Sequence, residues 1–394
     1  MLSKDYSAAT AVVRAALWGK DPPPVDLSVY EILQEHEIAN LAAGILSRMK
    51  MPQELRTVWK NNIYQELTYN VNYRKEMENL PVKAPYVVLK GTSAAQYYPN
   101  PHFRTLGDID IMPAREDYEE VCASFAENGY METTKDPDSG CIRHRSFRKS
   151  NVVIEVHAFF ALLSDPRKAQ YVDDLILNGI TPSHVLPDTV NGLTILEHIG
   201  QHLEEGLGLR QVIDWMMFVN KCLPDEKWSE FQSIAVVAGI DKLAIIVTRM
   251  CEKYLGLPKH SWCGGADESL CDDLMEYIMK CGDFGRSYKK SDAYASERLL
   301  ARFRSPRLIF QMLQHYGLKN WEAAKRHRAL RPFAWAYQIA RYLTKGLARD
   351  KTLQQLKSEY NGARRRNEMF EKLEIPKFSE ERAVFKDGEY IRQK

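Results

Sequence analysis

Cysteine is scarce and unpatterned in this chain of 394 residues: there are seven, with no C-x-x-C pair and no Cys/His cluster at zinc spacing. An odd, scattered set argues against a disulfide scaffold and a structural zinc site, and it fits a reducing compartment. Long apolar runs are missing as well. No stretch approaches the ~18 consecutive apolar residues of a membrane-crossing helix, and the N-terminal Ala/Val stretch is interrupted by Asp5 and Arg14, which makes it a poor signal peptide. Charge of one sign is lacking too, since 54 Lys and Arg against 52 Asp and Glu leave a net +2, so the chain as a whole is no polycation. Repeats and low-complexity tracts are absent. What remains, at 45% apolar and 27% charged residues, is globular composition. The expectation is a cytoplasmic protein of two or three domains with a sizeable core.

Apolar periodicity divides the chain. From Ala8 to Leu80 apolar residues recur at three- and four-residue spacing, as in Val29, Ile32 and Leu33, in Ile38, Leu41, Ala42 and Ile45, and in Ile63, Leu67 and Val71. Residues 1–80 therefore read as a helical region, punctuated by Pro22, Pro23, Pro24 and Pro52. The pattern changes after Pro81 and Pro85. YVVLK (86–90) is a short β-branched run, TSAAQYY reads as one or two helical turns, and GDIDIM (107–112) alternates as a strand does. An amphipathic helix over 115–130 ends at Gly129, a natural left-handed cap, and YMETTK, IRHRSF and VVIEVHAFF follow as strands. Residues 81–163 thus form an α/β core. Helical periodicity returns over 193–206, 208–222, 226–238, 241–255, 267–281 and 294–317. The expected fold is α+β: a small mixed sheet flanked by an N-terminal and a large C-terminal helical region, the latter divided into 164–300 and a tail of 301–394.

Charge is unevenly shared. Between Ala301 and Arg366 stand 16 Lys or Arg against 3 Asp or Glu, a surplus of 13, which leaves the rest of the chain at −11. A basic segment is attached to an acidic body.

The chemistry is carried by carboxylates. Asp108 and Asp110 stand two apart on a strand, so both leave one face while Ile109 and Ile111 leave the other. Like charges so placed repel unless a cation lies between them, and a hard ion such as Mg²⁺ or Mn²⁺ takes oxygen ligands of this kind. Glu155, between Ile154 and Val156, is a third acid in the same setting. Three acids on adjacent strands could hold two ions that clamp a phosphoryl transfer. The bland alternatives are a solvated strand face for the Asp pair and an edge-strand solubility residue for Glu155. Order discriminates better than composition: a strand ending in Lys90-Gly91-Thr92-Ser93, a loop, Asp-x-Asp on a strand, then an isolated strand acid.

LKGTSAAQYYPNPHFRTLGDIDIMP resembles the signature of the polymerase-beta-like nucleotidyltransferase superfamily, and K-G, Tyr-Tyr-Pro, Arg104 before Asp-Ile-Asp, and Glu-Val-His resemble its uncharacterised bacterial nucleotidyltransferase family. The likeness extends from the HEIANLAAGIL helix at His36 to about Pro258, and includes His202, Arg210 and Asp214 as candidates to line the cleft. The 16 residues between Gly91 and Asp108 exceed the usual spacing, and Gly107 stands where many members carry Ser. The resemblance implies an enzyme using Mg²⁺ or Mn²⁺ to move a nucleoside monophosphate, for instance from ATP, onto an unknown hydroxyl acceptor. Asp108 and Asp110 would hold the metal carrying the triphosphate. Glu155, with both, would hold a second metal and help to deprotonate the acceptor. Gly91 would let the backbone approach a phosphate, the N–H groups of Thr92 and Ser93 would open an anion-favouring helix, and Lys90 and Arg104 would neutralise phosphate charge. For the two basic residues the alternative is ordinary surface charge.

His157 shares the face of Glu155 and would touch nucleotide, order water or serve structure. His198 and His202 have metal spacing, but H-I-G-Q-H lacks the Glu of a metalloprotease helix, so His202 is expected to pack on the sheet or line the cleft. Arg210 and Asp214, four apart, would pair within their helix. Asp283-Phe284-Gly285 imitates a kinase metal motif without the rest of that signature and is set aside. In the tail, PFAWAYQIARYLTKGLARD (332–350) mixes aromatics with Arg341, Lys345 and Arg349. Such a helix can lie on an anionic membrane or meet nucleic acid; the preferred reading packs its aromatics on the body and leaves its charges in water. Two alternatives to the transferase stand beside it: a non-catalytic nucleotidyltransferase-fold binding module, and a nucleic-acid-modifying transferase that uses the tail.

Overall fold

β-Branched runs become strands and period-3.6 segments become helices in a computed structural model that describes residues 2–134, 143–203, 206–283, 306–347, 353–374, 384–386 and 389–391. Two compact units divide the chain: Met1–Ser287 with Leu373–Lys394, and Tyr288–Lys372.

The first unit opens with α1 (Lys4–Trp18), α2 (Leu27–Glu35) and α3 (Gln53–Met77). Ser3 and Asp26 cap α1 and α2 by accepting backbone N–H groups of the first turn. The HEIANLAAGIL stretch departs from the expected helix. Glu37 takes a positive φ of 56°, and a 3₁₀ turn spans Ala39–Gly44. The imidazole of His36 is buried and accepts the N–H of Leu209, which fixes the end of α2. Along α3 the buried side is Leu55, Trp59, Ile63, Asn70 and Tyr73, whereas Val71 is 54% exposed, so the expected third stripe is only partly right.

Five strands follow: β1 (Tyr86–Leu89), β2 (Ile109–Pro113), β3 (Met131–Glu132), β4 (His144–Lys149) and β5 (Val152–His157), in the order β1-β2-β5-β4-β3. Only β2 and β5 are parallel; the other neighbours are antiparallel. The short helix α4 (Lys90–Ala94) leaves β1, and α5 (Tyr118–Glu127) links β2 to β3, with Gly129 in the left-handed region beyond it. Val88, Ile109, Ile111, Phe147, Ile154 and Val156 form one core with Val121 and Phe125 of α5 and Tyr73 of α3. The expected α+β fold with a small mixed sheet is present.

VVIEVHAFF is shorter as a strand than its sequence suggests, for β5 stops at His157. Beyond it the chain is still buried but is satisfied by side chains, as a buried backbone must be. Asp173 Oδ1 accepts the N–H groups of Phe160 and Ala161 at 3.0 and 2.9 Å, and Glu197 Oε1 accepts that of Leu162 at 2.9 Å. Asp173 belongs to α6 (Pro166–Asn178) and Glu197 to α7 (Asp188–Leu203). Then come α8 (Leu209–Cys222), α9 (Trp228–Ala238), α10 (Asp241–Tyr254) and α11 (Glu268–Cys281), each within two residues of its expected bounds.

The second unit contains α12 (Pro306–Asn320), α13 (Glu322–Arg326), α14 (Ala334–Leu347) and most of α15 (Leu353–Leu373). Residues 294–305 of the expected helix 294–317 lie outside the described residues. Gly317 lets α12 meet α14, since a Cβ there would lie 1.9 Å from the carbonyl oxygen of Ala334. Trp321 stacks on Tyr337 with ring centroids 4.9 Å apart, so this aromatic packs within its own unit, while Phe310 and Phe333 are exposed. Among the described residues no helix is long and apolar enough to cross a membrane.

Burial pushes the carboxyls of Asp173 and Glu197 up to about 7. In the unfolded chain such groups ionise near ~4. Between those values the folded chain keeps protons that the unfolded chain releases, so this contribution is full below about pH 4 and is lost as pH rises towards about 7. The double variant Asp173→Asn, Glu197→Gln keeps the acceptor oxygens and removes the titration. Its melting temperature relative to wild type should rise between pH 4.5 and 8, and parallel pH profiles would refute the assignment.

Candidate functional site

Register builds the site. Asp110 pairs with Glu155 across the parallel β2–β5 pair, and on the other side of β2 it faces Leu89, the residue before Lys90. Residues paired in register share a face, so the two carboxylates stand together opposite the apolar core. Asp108, just before β2, completes the group: the three acids each bring one carboxylate oxygen within 4.8 Å of the others. The expected convergence of these acids is present.

A cation lies among them. Lys90 leaves β1 with a positive φ of 53°, and its ammonium donates to Asp110 Oδ1 at 2.6 Å, with Glu155 Oε2 at 3.7 Å. His157 Nε2 lies 2.8 Å from Asp110 Oδ1 and 3.5 Å from Glu155 Oε2. These contacts set the ionisation. Burial works against charge on Asp110, but Lys90 and the His157 hydrogen bond outweigh it and hold the carboxyl well below its ordinary range. Glu155 is lowered in the same way, against burial, by His157 and Lys90. Asp108 has no such bonds, and burial together with the charge of Asp110 pushes it up to about 7 despite Lys90.

Gly91 and Arg104 have a different relation from the one expected. A Cβ on Gly91 would lie 2.2 Å from Arg104 Nη1, so the space beside this glycine is filled by a guanidinium. Arg104 is buried and grips Asp214 of α8 with two bonds, Nε to Oδ1 at 3.1 Å and Nη2 to Oδ2 at 2.6 Å. Its Nη1 donates to the Thr105 carbonyl at 2.8 Å, and the Tyr98 hydroxyl donates to Asp214 at 2.7 Å. Asp214 therefore does not pair within its helix with Arg210, as spacing suggested. Arg210 instead reaches buried Asp283 at 2.8 Å, alongside Gln211. Both members of the i, i+4 pair find long-range partners because this face of α8 is buried, and isolated carboxylates there would be costly. Phe284 and Gly285 of the discounted kinase-like triplet lie outside the described residues.

Thr92 is partly exposed, its hydroxyl 3.5 Å from the Asp108 carbonyl, whereas Ser93 is buried and donates to Asn191 of α7 at 2.9 Å. His198 and His202 face one another on α7 with Nε2 atoms 2.8 Å apart. Burial, then the charges of Lys90 and Arg143, lowers His202 to about 3, so its imidazole is neutral.

One residue absent from the expected site lies against it. His144 is the register partner of His157 on β4, and its Nε2 is 3.3 Å from Glu155 Oε1. Burial and neighbouring His157 lower it to about 4, against the pull of Glu155. The two-residue turn Ser150-Asn151 was its sequence signal, because pairing Lys149 with Val152 forces His144 opposite His157.

With this geometry in view, a family model described as an uncharacterised nucleotidyltransferase matches residues 27–256, more than half of the chain. The chain belongs to this nucleotidyltransferase family. The match covers α2 to the end of α10, close to the His36–Pro258 span expected from the motifs, and includes all three acids. No curated protein and no solved structure matches the chain.

The Arg104–Asp214 pair gives a test. Arg104→Ala leaves the Asp214 carboxylate buried without its counter-charge, and urea unfolding should show a loss of about 3–5 kcal/mol. Gly91→Ala should also destabilise, by about 1–3 kcal/mol, through overpacking against the same guanidinium. Wild-type unfolding midpoints in both variants would disprove the arrangement.

Proposed function

We propose that this nucleotidyltransferase is catalytically active and of the polymerase-beta-like type, moving a nucleoside monophosphate from a triphosphate such as ATP to a hydroxyl acceptor in the cytoplasm. The observation that carries this is the meeting of Asp108, Asp110 and Glu155 within 4.8 Å on one sheet face. As a donor set they suit a hard divalent cation, Mg²⁺ or Mn²⁺, and the ammonium of Lys90 at 2.6 Å from Asp110 shows that the cluster draws positive charge. Such an ion, when bound, would offset the charge of the triphosphate and its leaving pyrophosphate.

The protein's own groups supply the rest. Asp108 and Asp110 would hold the cation. Glu155, with its side chain 19% exposed, offers the carboxylate on the open side of the cluster. It would take the proton of the acceptor hydroxyl as that oxygen bonds to the α-phosphorus. The bond to pyrophosphate then breaks, and its electron pair leaves with pyrophosphate. His157 would keep Asp110 and Glu155 oriented. Lys90, on a flexible four-carbon stem, would turn from Asp110 towards the phosphates, and Thr92 would present its backbone N–H beside them. Arg104 acts at one remove: by filling the space next to Gly91 and gripping Asp214, it would position the loop that carries Lys90 and Thr92. His202 and Arg210 would border the acceptor side.

The test is a panel of nucleoside triphosphates with Mg²⁺ or Mn²⁺, read by pyrophosphate release. Glu155→Gln should lower the rate on the order of 10²–10⁴-fold, and Asp108→Asn with Asp110→Asn should abolish it together with metal-linked triphosphate binding. Unchanged turnover in the double variant would end the proposal.

A further inference from the structure

We infer that this protein has a second cation position, sharing Glu155 with the three acids, in which His144, Glu155 and His157 hold a borderline transition ion of the Zn²⁺ type. The three residues each bring one ligand atom within 4.8 Å of the others. Glu155 presents Oε1 to His144 Nε2 at 3.3 Å and Oε2 to His157 Nε2 at 3.5 Å. Neighbouring ligands of a tetrahedral ion with bonds near 2.1 Å lie ~3.4 Å apart; each imidazole has a different Glu155 oxygen at about that separation, so the carboxylate would turn to bring one oxygen to the ion. Two imidazoles and one carboxylate are a donor set for Zn²⁺, Co²⁺, Mn²⁺ or Fe²⁺, whereas Mg²⁺ takes oxygen alone.

Two further features agree. The hairpin register places His144 directly opposite His157, and β4 and β5 are joined by only two residues, so the backbone fixes the imidazoles before any ion arrives. The His144 side chain is 31% exposed and that of Glu155 19%, which leaves an entry path and room for a water or substrate oxygen as a further ligand. Asp110 and Lys90 are the competitors: His157 Nε2 would give up its 2.8 Å contact with Asp110 Oδ1, and the Lys90 ammonium, 3.5 Å from the same nitrogen, would have to move away as the ion enters.

Glu155 belongs to both donor sets, so it would bridge a hard ion on the Asp side and a softer one on the His side. Occupancy of either position then changes the affinity of the other by the same factor, as linkage requires. None of this depends on nucleotidyl transfer.

The experiment uses the chelator-treated full chain and measures Zn²⁺ and Mg²⁺ affinity separately by calorimetry. His144→Ala should weaken Zn²⁺ by at least about 100-fold, in line with loss of a direct ligand, and leave Mg²⁺ within about twofold. Asp108→Asn should do the reverse, and Glu155→Gln should weaken both. Cu²⁺ loaded into the wild type should show imidazole nitrogen coupling by electron paramagnetic resonance, a readout independent of any variant's folding. Absence of Zn²⁺ binding, wild-type Zn²⁺ affinity in His144→Ala, Zn²⁺ loss in Asp108→Asn, or no nitrogen coupling would each overturn the inference.

Discussion

Asp110 and Glu155 are register partners on the only parallel strand pair of the five-stranded sheet, and this pairing sets the terms for everything around them. Two carboxylates forced side by side repel, and burial of Asp110 magnifies the repulsion because little water remains to screen it. Left alone, one of them would take up a proton. Lys90 and His157 supply the offset, and their placement is also a matter of register: Lys90 follows the residue opposite Asp110, and His157 lies two residues beyond Glu155 on the same face. Acids already balanced by an ammonium and an imidazole form a cluster that could also hold a metal cation.

The loop that delivers Lys90 is held from behind by a second charged contact of a different kind. Arg104 and Asp214 are 110 residues apart in the chain, both are buried, and the guanidinium meets the carboxylate with two bonds. Pairs of this sort contribute little net stability compared with apolar packing, because both charges must be desolvated. Their value lies in direction: a planar fork against a carboxylate permits one arrangement. Gly91 is the complement of that fork, since any side chain there would occupy the volume of the guanidinium. The unusually long connection between Gly91 and Asp108 thereby acquires a physical reason, as its residues wrap Arg104 and Tyr98 onto α8.

The strands, most helices and the three acids were legible in the sequence because each is encoded locally. Alternation places Asp110 and Glu155 away from Ile109, Ile111, Ile154 and Val156, and no long-range knowledge is needed to see it. What stayed hidden depends on partners distant in the chain. Arg104 looks like a phosphate ligand when only its neighbours are visible, and the same holds for Arg210 and Asp214, whose spacing suggests each other but whose burial sends them to Asp283 and Arg104. Glu37 shows the opposite failure. The apolar stripe after it is buried as read, but a single positive φ converts the expected helix into a 3₁₀ turn, because burial pattern alone does not distinguish two helical pitches over so short a stretch.

His144 shows how near the limit of legibility the site lies. Its neighbours HRSFRK carry little alternation, yet the strand is fixed because Lys149 and Val152 flank a turn of two residues, with Ser150 in the left-handed region. Counting outward from that turn puts an imidazole opposite His157 with no further assumption. Side-chain chemistry at this edge of the sheet therefore follows from a turn rather than from a motif. A one-residue change in loop length would move His144 to the other face and leave Glu155 with His157 as its remaining imidazole neighbour. His144 is thus separable from the acids by backbone geometry, whereas His157, on the strand of Glu155, is not.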